Sequence, residues 1–117
     1  MSGKVVWFEV MGQDAKKLQS FYGGLFGWDL KSVPGPMEYG LLGPQEGSIP
    51  GGIGKAPAGP GWTTFYVSVD DLDASIAKAQ SMGATLVSPP VTLADGGTIA
   101  LVTDPEGHTL GLVKPAA

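Results

Sequence analysis

An internal repeat constrains the fold of this chain more than any other feature of its sequence. Residues 5–10, with the sequence VVWFEV, and residues 62–69, with the sequence WTTFYVSV, both alternate in the manner of a β-strand. Each segment is followed by an aspartate and then by apolar residues at helical spacing. A strand that leads into an aspartate-capped helix twice within 117 residues predicts one module used twice.

The first module is expected to follow the order β-α-β-β-β over residues 4–55. After a strand at residues 4–11, Asp14 is placed to cap a helix that Gly27 ends. The apolar stripe of this helix, at i, i+3, i+4 and i+7, is formed by Leu18, Phe21, Tyr22 and Leu25. We expect the stripe to pack on the strand face of Val6, Phe8 and Val10. The other strands of the module are predicted at residues 28–33, 37–42 and 49–55.

The second module is expected to repeat this order over residues 62–115, after a linker of proline and glycine at residues 56–61. Asp71 is placed to cap its helix, and Gly83 follows the end of that helix. Its later strands are predicted at residues 86–91, 98–103 and 109–113. The sequence therefore predicts an α+β fold, one domain over residues 1–117, in which two β-α-β-β-β modules form a cleft.

Composition and charge exclude several classes of partner. The net charge is −4, and the seven basic residues are all lysines that do not cluster, so we expect no nucleic-acid partner. The negative charge favours a cationic ligand over an anionic one. Because there is no arginine, the fork that clamps phosphate is missing, which argues against phosphorylated substrates.

The sequence also bears on where the protein works. It contains no cysteine, which excludes disulfides and thiolate metal sites. No apolar run approaches the ~20 residues needed to cross a membrane. The start of the chain lacks the pattern of a signal peptide. We therefore expect a cytoplasmic protein without a membrane partner.

Four short motifs together resemble those of a known family. They are WFEV at residues 7–10, FYGGLFGW at residues 21–28, VDDL at residues 69–72 and DPEGH at residues 104–108. In combination they resemble the vicinal oxygen chelate superfamily, which includes glyoxalases, extradiol dioxygenases and bleomycin-resistance proteins. This resemblance implies the same paired-module fold. It also implies a homodimer, since two chains often share sites in short members of the superfamily.

Metal-dependent members of that superfamily hold a divalent ion with His or Glu residues on the first and last strands of each module. The matching positions here are Trp7 and Thr64 on the first strands, Gly111 on one last strand, and a position near Gly52 on the other. None of these residues has an imidazole or carboxylate side chain. We therefore assign no metal ligands and no cofactor, and a displaced ion site around Glu9 stays open.

Glu9 is the candidate catalytic residue. It lies in the middle of the first strand, on the same side as Trp7. If aromatic rings bury it, its protonated form is favoured, and it could serve as a general acid or base. In a wetter setting it would be a counter-charge for a cation. A third interpretation is a cleft-lining carboxylate bonded to the hydroxyl of Thr64 or Tyr66.

Aromatic side chains extend the candidate site beyond Glu9. Trp7, Trp62 and Tyr66 could stack on a planar ligand or hold a cation over a ring, each contact adding ~0.5 to 2 kcal/mol. Packing between the modules is the alternative for such rings, and we favour it for Trp62. The predicted ligand-binding residues are Trp7, Glu9, Trp62, Thr64 and Tyr66. The one histidine, His108, is placed in a turn near the surface.

Two functional hypotheses follow from these patterns. The first is a metal-independent small-molecule-binding protein of the bleomycin-resistance type, which binds an aromatic or cationic ligand in the cleft between the modules. The second is a glyoxalase-like lyase or isomerase, which uses Glu9 as its acid or base or relies on a displaced metal site. Whether the protein is an enzyme is therefore left open by the sequence.

Overall fold

The computed structural model describes residues 3–117. Within these residues, two helices and eight strands follow one another. Their order is β1 (Val5–Gly12), α1 (Ala15–Phe26), β2 (Lys31–Ser32), β3 (Gly40–Leu42), β4 (Gly51–Lys55), β5 (Trp62–Ser68), α2 (Leu72–Ser81), β6 (Thr85–Thr92), β7 (Thr98–Thr103) and β8 (Thr109–Lys114). None of the helices among residues 3–117 is both long and apolar enough to span a bilayer.

The chain forms two compact units. The first unit is residues 7–63, and the second unit is residues 64–117 together with the start of β1 up to Val6. Strand neighbours in the first unit follow the order β2-β3-β4-β1, and those in the second follow β6-β7-β8-β5. In each unit the strand before the helix pairs in parallel with the last strand, and the other pairs are antiparallel. The predicted α+β class with its repeated β-α-β-β-β order is thus confirmed.

Both helices begin where the sequence predicts. The Asp14 carboxylate accepts a hydrogen bond from the Lys17 backbone N–H at 3.0 Å, and that of Asp71 accepts one from Ala74 at 3.0 Å. These bonds satisfy backbone donors that the first turn of a helix leaves without a partner. Gly27 ends α1 in the left-handed conformation, with φ of 70°.

The predicted packing of α1 is wrong for half of its apolar stripe. Leu18 and Tyr22 are half-buried, but Phe21 is 59% exposed and Leu25 is 61% exposed. The less exposed side of α1 instead combines Leu18 and Tyr22 with the small or polar residues Ala15, Gln19 and Gly23. Ala15 is the buried residue of the helix, and Gln19 donates to the Ile53 carbonyl of β4 at 2.8 Å. A polar side chain thus contacts β4 at a position that the apolar periodicity of the helix does not indicate.

Three strands of the first unit are shorter than predicted, β4 by two residues and the other two by more. β2 spans two residues rather than 28–33, because Trp28 packs in an aromatic cluster, 6.2 Å from Tyr22 and 5.6 Å from Phe8 between ring centroids. β3 begins only at Gly40, because Glu38 has a φ of 45°, which interrupts an extended chain.

The core of the second unit lies between α2 and the strands β7 and β8. Its buried members are Leu72, Ile76, Ala100, Val102 and Leu112. Glycines in the left-handed conformation and an aspartate form the turns that connect β6 to β7 and β7 to β8. Gly96 and Gly107 have φ of 93° and 91°, and Asp104 accepts backbone hydrogen bonds from Glu106 and His108 at 2.9 Å each.

Candidate functional site

Strand β1 divides its side chains between two environments. Phe8 is paired with Gly51 of β4, and its ring lies where a Gly51 side chain would otherwise stand. The next residue, Glu9, is paired with Gly52 and so projects to the opposite face. Trp7 shares that face with Glu9, as the alternation of the strand predicts. The pleat of β1 thus brings an acidic and an aromatic side chain to one side.

The Glu9 carboxylate is buried and held at both of its oxygens. Its side chain belongs to a residue that is only 8% exposed. The Tyr39 hydroxyl donates to Oε2 at 2.9 Å, and the Trp62 indole N–H donates to Oε1 at 3.0 Å. Both donors are neutral groups. Together they fix the orientation of the carboxylate.

Trp7 joins the same network through Tyr39. The Trp7 indole N–H donates to the Tyr39 hydroxyl oxygen at 3.0 Å. An indole N–H is a donor only, so the tyrosine oxygen must accept this bond and can turn its own proton to Glu9. We call these four residues of the first unit the Glu9 cluster: Trp7, Glu9, Tyr39 and Trp62.

Tyr39 is kept in its neutral form by its surroundings. Burial raises the pKa of its hydroxyl well above the usual range, and the negative charge of Glu9 adds to the effect. The hydroxyl therefore keeps its proton across the physiological range. It serves as a hydrogen-bond donor to Glu9 rather than as a second anion.

Glycines in β4 make room for the Tyr39 ring. A Cβ added to Gly52 would lie 1.9 Å from the Cζ atom of Tyr39, and one added to Gly54 would lie 2.7 Å from its Cδ1 atom. These two glycines occupy alternate positions of one strand and so face the same side. The ring crosses the strand over bare backbone, which lets its hydroxyl reach Glu9.

Thr64 and Tyr66, the other two predicted ligand contacts, lie in the second unit. The Thr64 hydroxyl donates to the Thr109 carbonyl at 2.5 Å, and Thr64 is buried. Tyr66 is 5% exposed, and its ring covers Gly111, whose added Cβ would lie 2.4 Å from the ring. Within that unit both side chains support the pairing of β5 with β8. Their role in ligand binding stays a prediction.

The metal site implied by the family resemblance does not fit the residues present. Trp7 and Thr64 offer no metal ligand, and tyrosine rings cover the two glycines at the matching strand positions, Gly52 and Gly111. Across residues 3–117, no three or more His, Cys, Asp or Glu side chains gather closely enough to hold an ion. No step of a mechanism is therefore assigned to a metal.

His108 lies in a turn at the surface, as predicted. Its side chain is 76% exposed, and its Nδ1 atom lies 2.9 Å from the Asp104 carboxylate. The hydrogen bond from the His108 backbone N–H is the main reason that the pKa of Asp104 lies below its usual value. The pair stabilises the turn between β7 and β8 and takes no part in the Glu9 cluster.

Sequence reasoning missed Tyr39, the residue that connects Trp7 to Glu9. Its neighbours in the sequence place it in a predicted strand and do not mark it as special. The signal lies instead in β4, where glycine occupies the alternate positions Gly52 and Gly54. Glycines spaced in this way indicate that a bulky group crosses that face of the strand. The nearest aromatic residue before β4 is Tyr39.

Comparison with known proteins identifies the family. Residues 4–112 match the family described as the Glyoxalase/Bleomycin resistance protein/Dioxygenase superfamily. The "Putative glyoxylase CFP32" of Mycobacterium bovis is 32% identical over 114 residues, which cover 91% of this chain and 43% of that protein. The chain thus spans less than half the length of the curated relative that it matches.

Solved structures share the fold at low sequence identity. A hypothetical protein from Bacillus halodurans has a TM-score of 0.72 and 14% identity, over 100% of this chain and 97% of its own. Methylmalonyl-CoA epimerase from Mycobacterium tuberculosis has a TM-score of 0.68 and 19% identity, over 98% of this chain and 89% of its own. At these identities the likeness concerns the fold alone. The match over residues 4–112 nevertheless extends across both modules, and the chain belongs to the glyoxalase/bleomycin resistance protein/dioxygenase superfamily.

Proposed function

We propose that this protein is a metal-independent small-molecule-binding member of its superfamily, which binds an aromatic, cationic ligand at the Glu9 cluster. One observation carries the proposal. A carboxylate that is 8% exposed is held at both oxygens by neutral donors, between two tryptophans and a tyrosine. A carboxylate that hydrogen bonds hold in one orientation between aromatic rings is suited to recognise a positive charge.

The aromatic side chains of the cluster suit the same class of ligand. Trp7 and Trp62 are half-buried, so part of each indole remains accessible. A cation over an indole face gains about 0.5 to 2 kcal/mol, and a planar ring gains a comparable amount by stacking. The net charge of −4 further favours the approach of a cation.

The test compares ligands that differ in charge but share a ring. Benzylammonium and benzyltrimethylammonium are the cationic probes, with benzyl alcohol and benzoate as the neutral and anionic controls. Tryptophan fluorescence and calorimetry should show tighter binding of both cations than of either control. Benzoate binding as tightly as benzylammonium would contradict the proposal.

A charge-matched pair of variants then locates the site. Glu9→Gln removes the buried carboxylate, while Glu46→Gln removes one negative charge from an exposed side chain. We expect Glu9→Gln to lose cation binding by at least about tenfold, and Glu46→Gln to bind as the wild type does. Circular dichroism should show that both variants remain folded. Equal binding by both variants would place the cation site elsewhere.

A second candidate function is a glyoxalase-like lyase or isomerase in which Glu9 acts as the base. The observation that favours it is the buried Glu9 carboxylate, which Tyr39 and Trp62 hold at 2.9 and 3.0 Å, because a carboxylate fixed beside a bound substrate can accept a proton from it. The name of the Mycobacterium bovis relative is in keeping with this candidate. Turnover of a 2-oxoaldehyde with a thiol should then be lost in Glu9→Gln. An unchanged rate would reject Glu9 as the base.

The proposal also includes a homodimer, which the superfamily resemblance implies. Sedimentation velocity over a range of concentrations tests it directly. A single species of twice the chain mass of 12.0 kDa is expected. A monomer at every concentration would reject the dimer.

A further inference from the structure

The segment that carries Tyr39 is held in an unusual backbone conformation. Glu38, the residue before it, has a φ of 45°, the one positive φ outside glycine among residues 3–117. The Gln19 side-chain amide donates to the Glu38 carbonyl at 2.7 Å and to the Ile53 carbonyl at 2.8 Å. A residue held in this region often marks a functional site, because surrounding contacts must maintain it.

Three separate features of the first unit therefore act on one side chain. The Glu38 turn changes the direction of the chain, Gln19 ties that turn to β4, and the glycines of β4 leave space for a ring. Their shared result is the placement of the Tyr39 hydroxyl between the Trp7 indole and the Glu9 carboxylate.

The direction of each hydrogen bond within the Glu9 cluster is fixed. Trp7 can only donate, so Tyr39 accepts from it and donates to Glu9 Oε2. Trp62 can also only donate, and it does so to Glu9 Oε1. A change at Trp7 or Tyr39 is therefore expected to reach Trp62 through the orientation of the carboxylate.

We infer that Tyr39 is a positioning residue, which sets the orientation in which the Glu9 carboxylate meets a ligand. This inference rests on the proposed function, in which Glu9 binds the cationic group. It adds that the site selects cations that donate a hydrogen bond, such as a primary ammonium, over quaternary ones. A fixed carboxylate gives a directed bond to the first class and only a non-directional attraction to the second.

Indole N–H signals provide a test that needs no ligand. The three tryptophans should each give one such signal in a nitrogen-15 correlation spectrum. In Tyr39→Phe, which keeps the ring and removes the hydroxyl, we expect the signals of Trp7 and Trp62 both to shift. That of Trp28, which packs against Tyr22 and Phe26, should stay in place. If only the Trp7 signal moves, Tyr39 is merely its hydrogen-bond partner and the inference is overturned.

A second variant covers the case in which Tyr39→Phe does not fold. Trp7→Phe leaves Tyr39 and Glu9 in place and removes the donor to the tyrosine oxygen. The Trp62 signal should still shift, through Tyr39 and Glu9. A Trp62 signal that is unchanged in Trp7→Phe contradicts the inference.

Binding of the two cationic probes tests the consequence for ligand choice. In Tyr39→Phe we expect benzylammonium to bind about tenfold more weakly, and benzyltrimethylammonium to be little affected. An equal loss for both probes, or no loss for either, overturns the inference. Failure of the wild type to bind any cation rejects the proposed function instead, and the indole signals still decide the role of Tyr39.

Discussion

The Tyr39 ring lies directly against Gly52, at a point where a Cβ on that glycine would stand 1.9 Å from the Cζ atom of the ring. The contact joins a turn residue to a strand, and both are needed for the hydroxyl to reach Glu9. The choice of glycine at this position is thus explained by the cluster and not by the backbone, since Gly52 does not have a positive φ.

Gly52→Ala is expected to destabilise the protein by about 2 to 3 kcal/mol. The added methyl group must displace the Tyr39 ring and so break its hydrogen bonds to Trp7 and Glu9. Chemical denaturation measures the loss. In a Tyr39→Ala background the ring is absent, and Gly52→Ala should lower the free energy of unfolding by less than about 1 kcal/mol. An equal cost in both backgrounds would show that the ring is not the cause.

Gly24→Ala is expected to stabilise the protein by about 1 kcal/mol, because Gly24 lies inside α1 and nothing lies within 4 Å of its added Cβ. Gly23→Ala is the matched control. Its Cβ would lie 3.3 Å from the Trp28 carbonyl oxygen, so the gain should be smaller. Thermal unfolding should show a rise of about 4 °C for the first variant. A rise that is larger for Gly23→Ala would contradict the packing described for α1.

The raised pKa of Tyr39 predicts a loss of stability in alkali. The unfolded chain releases this proton near pH 10, whereas the folded protein retains it. The contribution of the Tyr39 hydroxyl to the free energy of unfolding is therefore fully present below about pH 10, and it falls as the pH rises above that value. Denaturation at several pH values should show a steeper fall for the wild type than for Tyr39→Phe.

Tyrosinate absorbance gives an independent check of the same pKa. The difference between the titrations of the wild type and Tyr39→Phe should show no step until the pH at which the wild type unfolds. A separate step near pH 10 in the folded protein would mean that Tyr39 is open to solvent.

The parts of the fold that are predictable from sequence depend on local signals. Asp14, Asp71 and Gly27 act on backbone groups within four residues, so their roles can be inferred from spacing alone. The alternation along β1 likewise places Trp7 and Glu9 on one side. Because these local signals occur twice along the chain, they are sufficient to predict a repeated module.

The parts of the fold and of the site that the sequence does not predict depend on contacts between residues far apart in the chain. Tyr39 bonds to Glu9 across 30 positions of sequence, and the glycine that accommodates it lies in another strand. The predicted packing of α1 is wrong for Phe21 and Leu25, and the polar residue Gln19 instead contacts β4 by bonding to backbone carbonyls. Hydrophobic periodicity does not register a half-buried amide that packs by means of its hydrogen bonds.

Asp104 should stabilise the turn before β8 mainly at pH values above its usual pKa. Hydrogen bonds from the backbone N–H groups of His108 and Glu106 lower that pKa. The stabilisation is therefore present above about pH 4 and is lost as the pH falls through the lower value of the folded protein. Asp104→Asn should reduce the loss of stability in acid, whereas Glu46→Gln should not. Identical acid unfolding curves for wild type and Asp104→Asn would contradict this assignment.

Addition of divalent ions is expected to leave the melting temperature of chelator-treated protein unchanged. The positions at which the family resemblance implies ligands hold Trp7, Thr64, Gly111 and a glycine beneath Tyr39. An ion at a hundred times its dissociation constant adds about 2.7 kcal/mol, a shift of several degrees that would be easily measured. Ni²⁺, Mn²⁺, Fe²⁺ and Zn²⁺ are to be compared, with His108→Ala as a control for binding at the surface turn. A rise that persists in His108→Ala would reveal an internal site, contradict the metal-independent proposal and favour the lyase or isomerase.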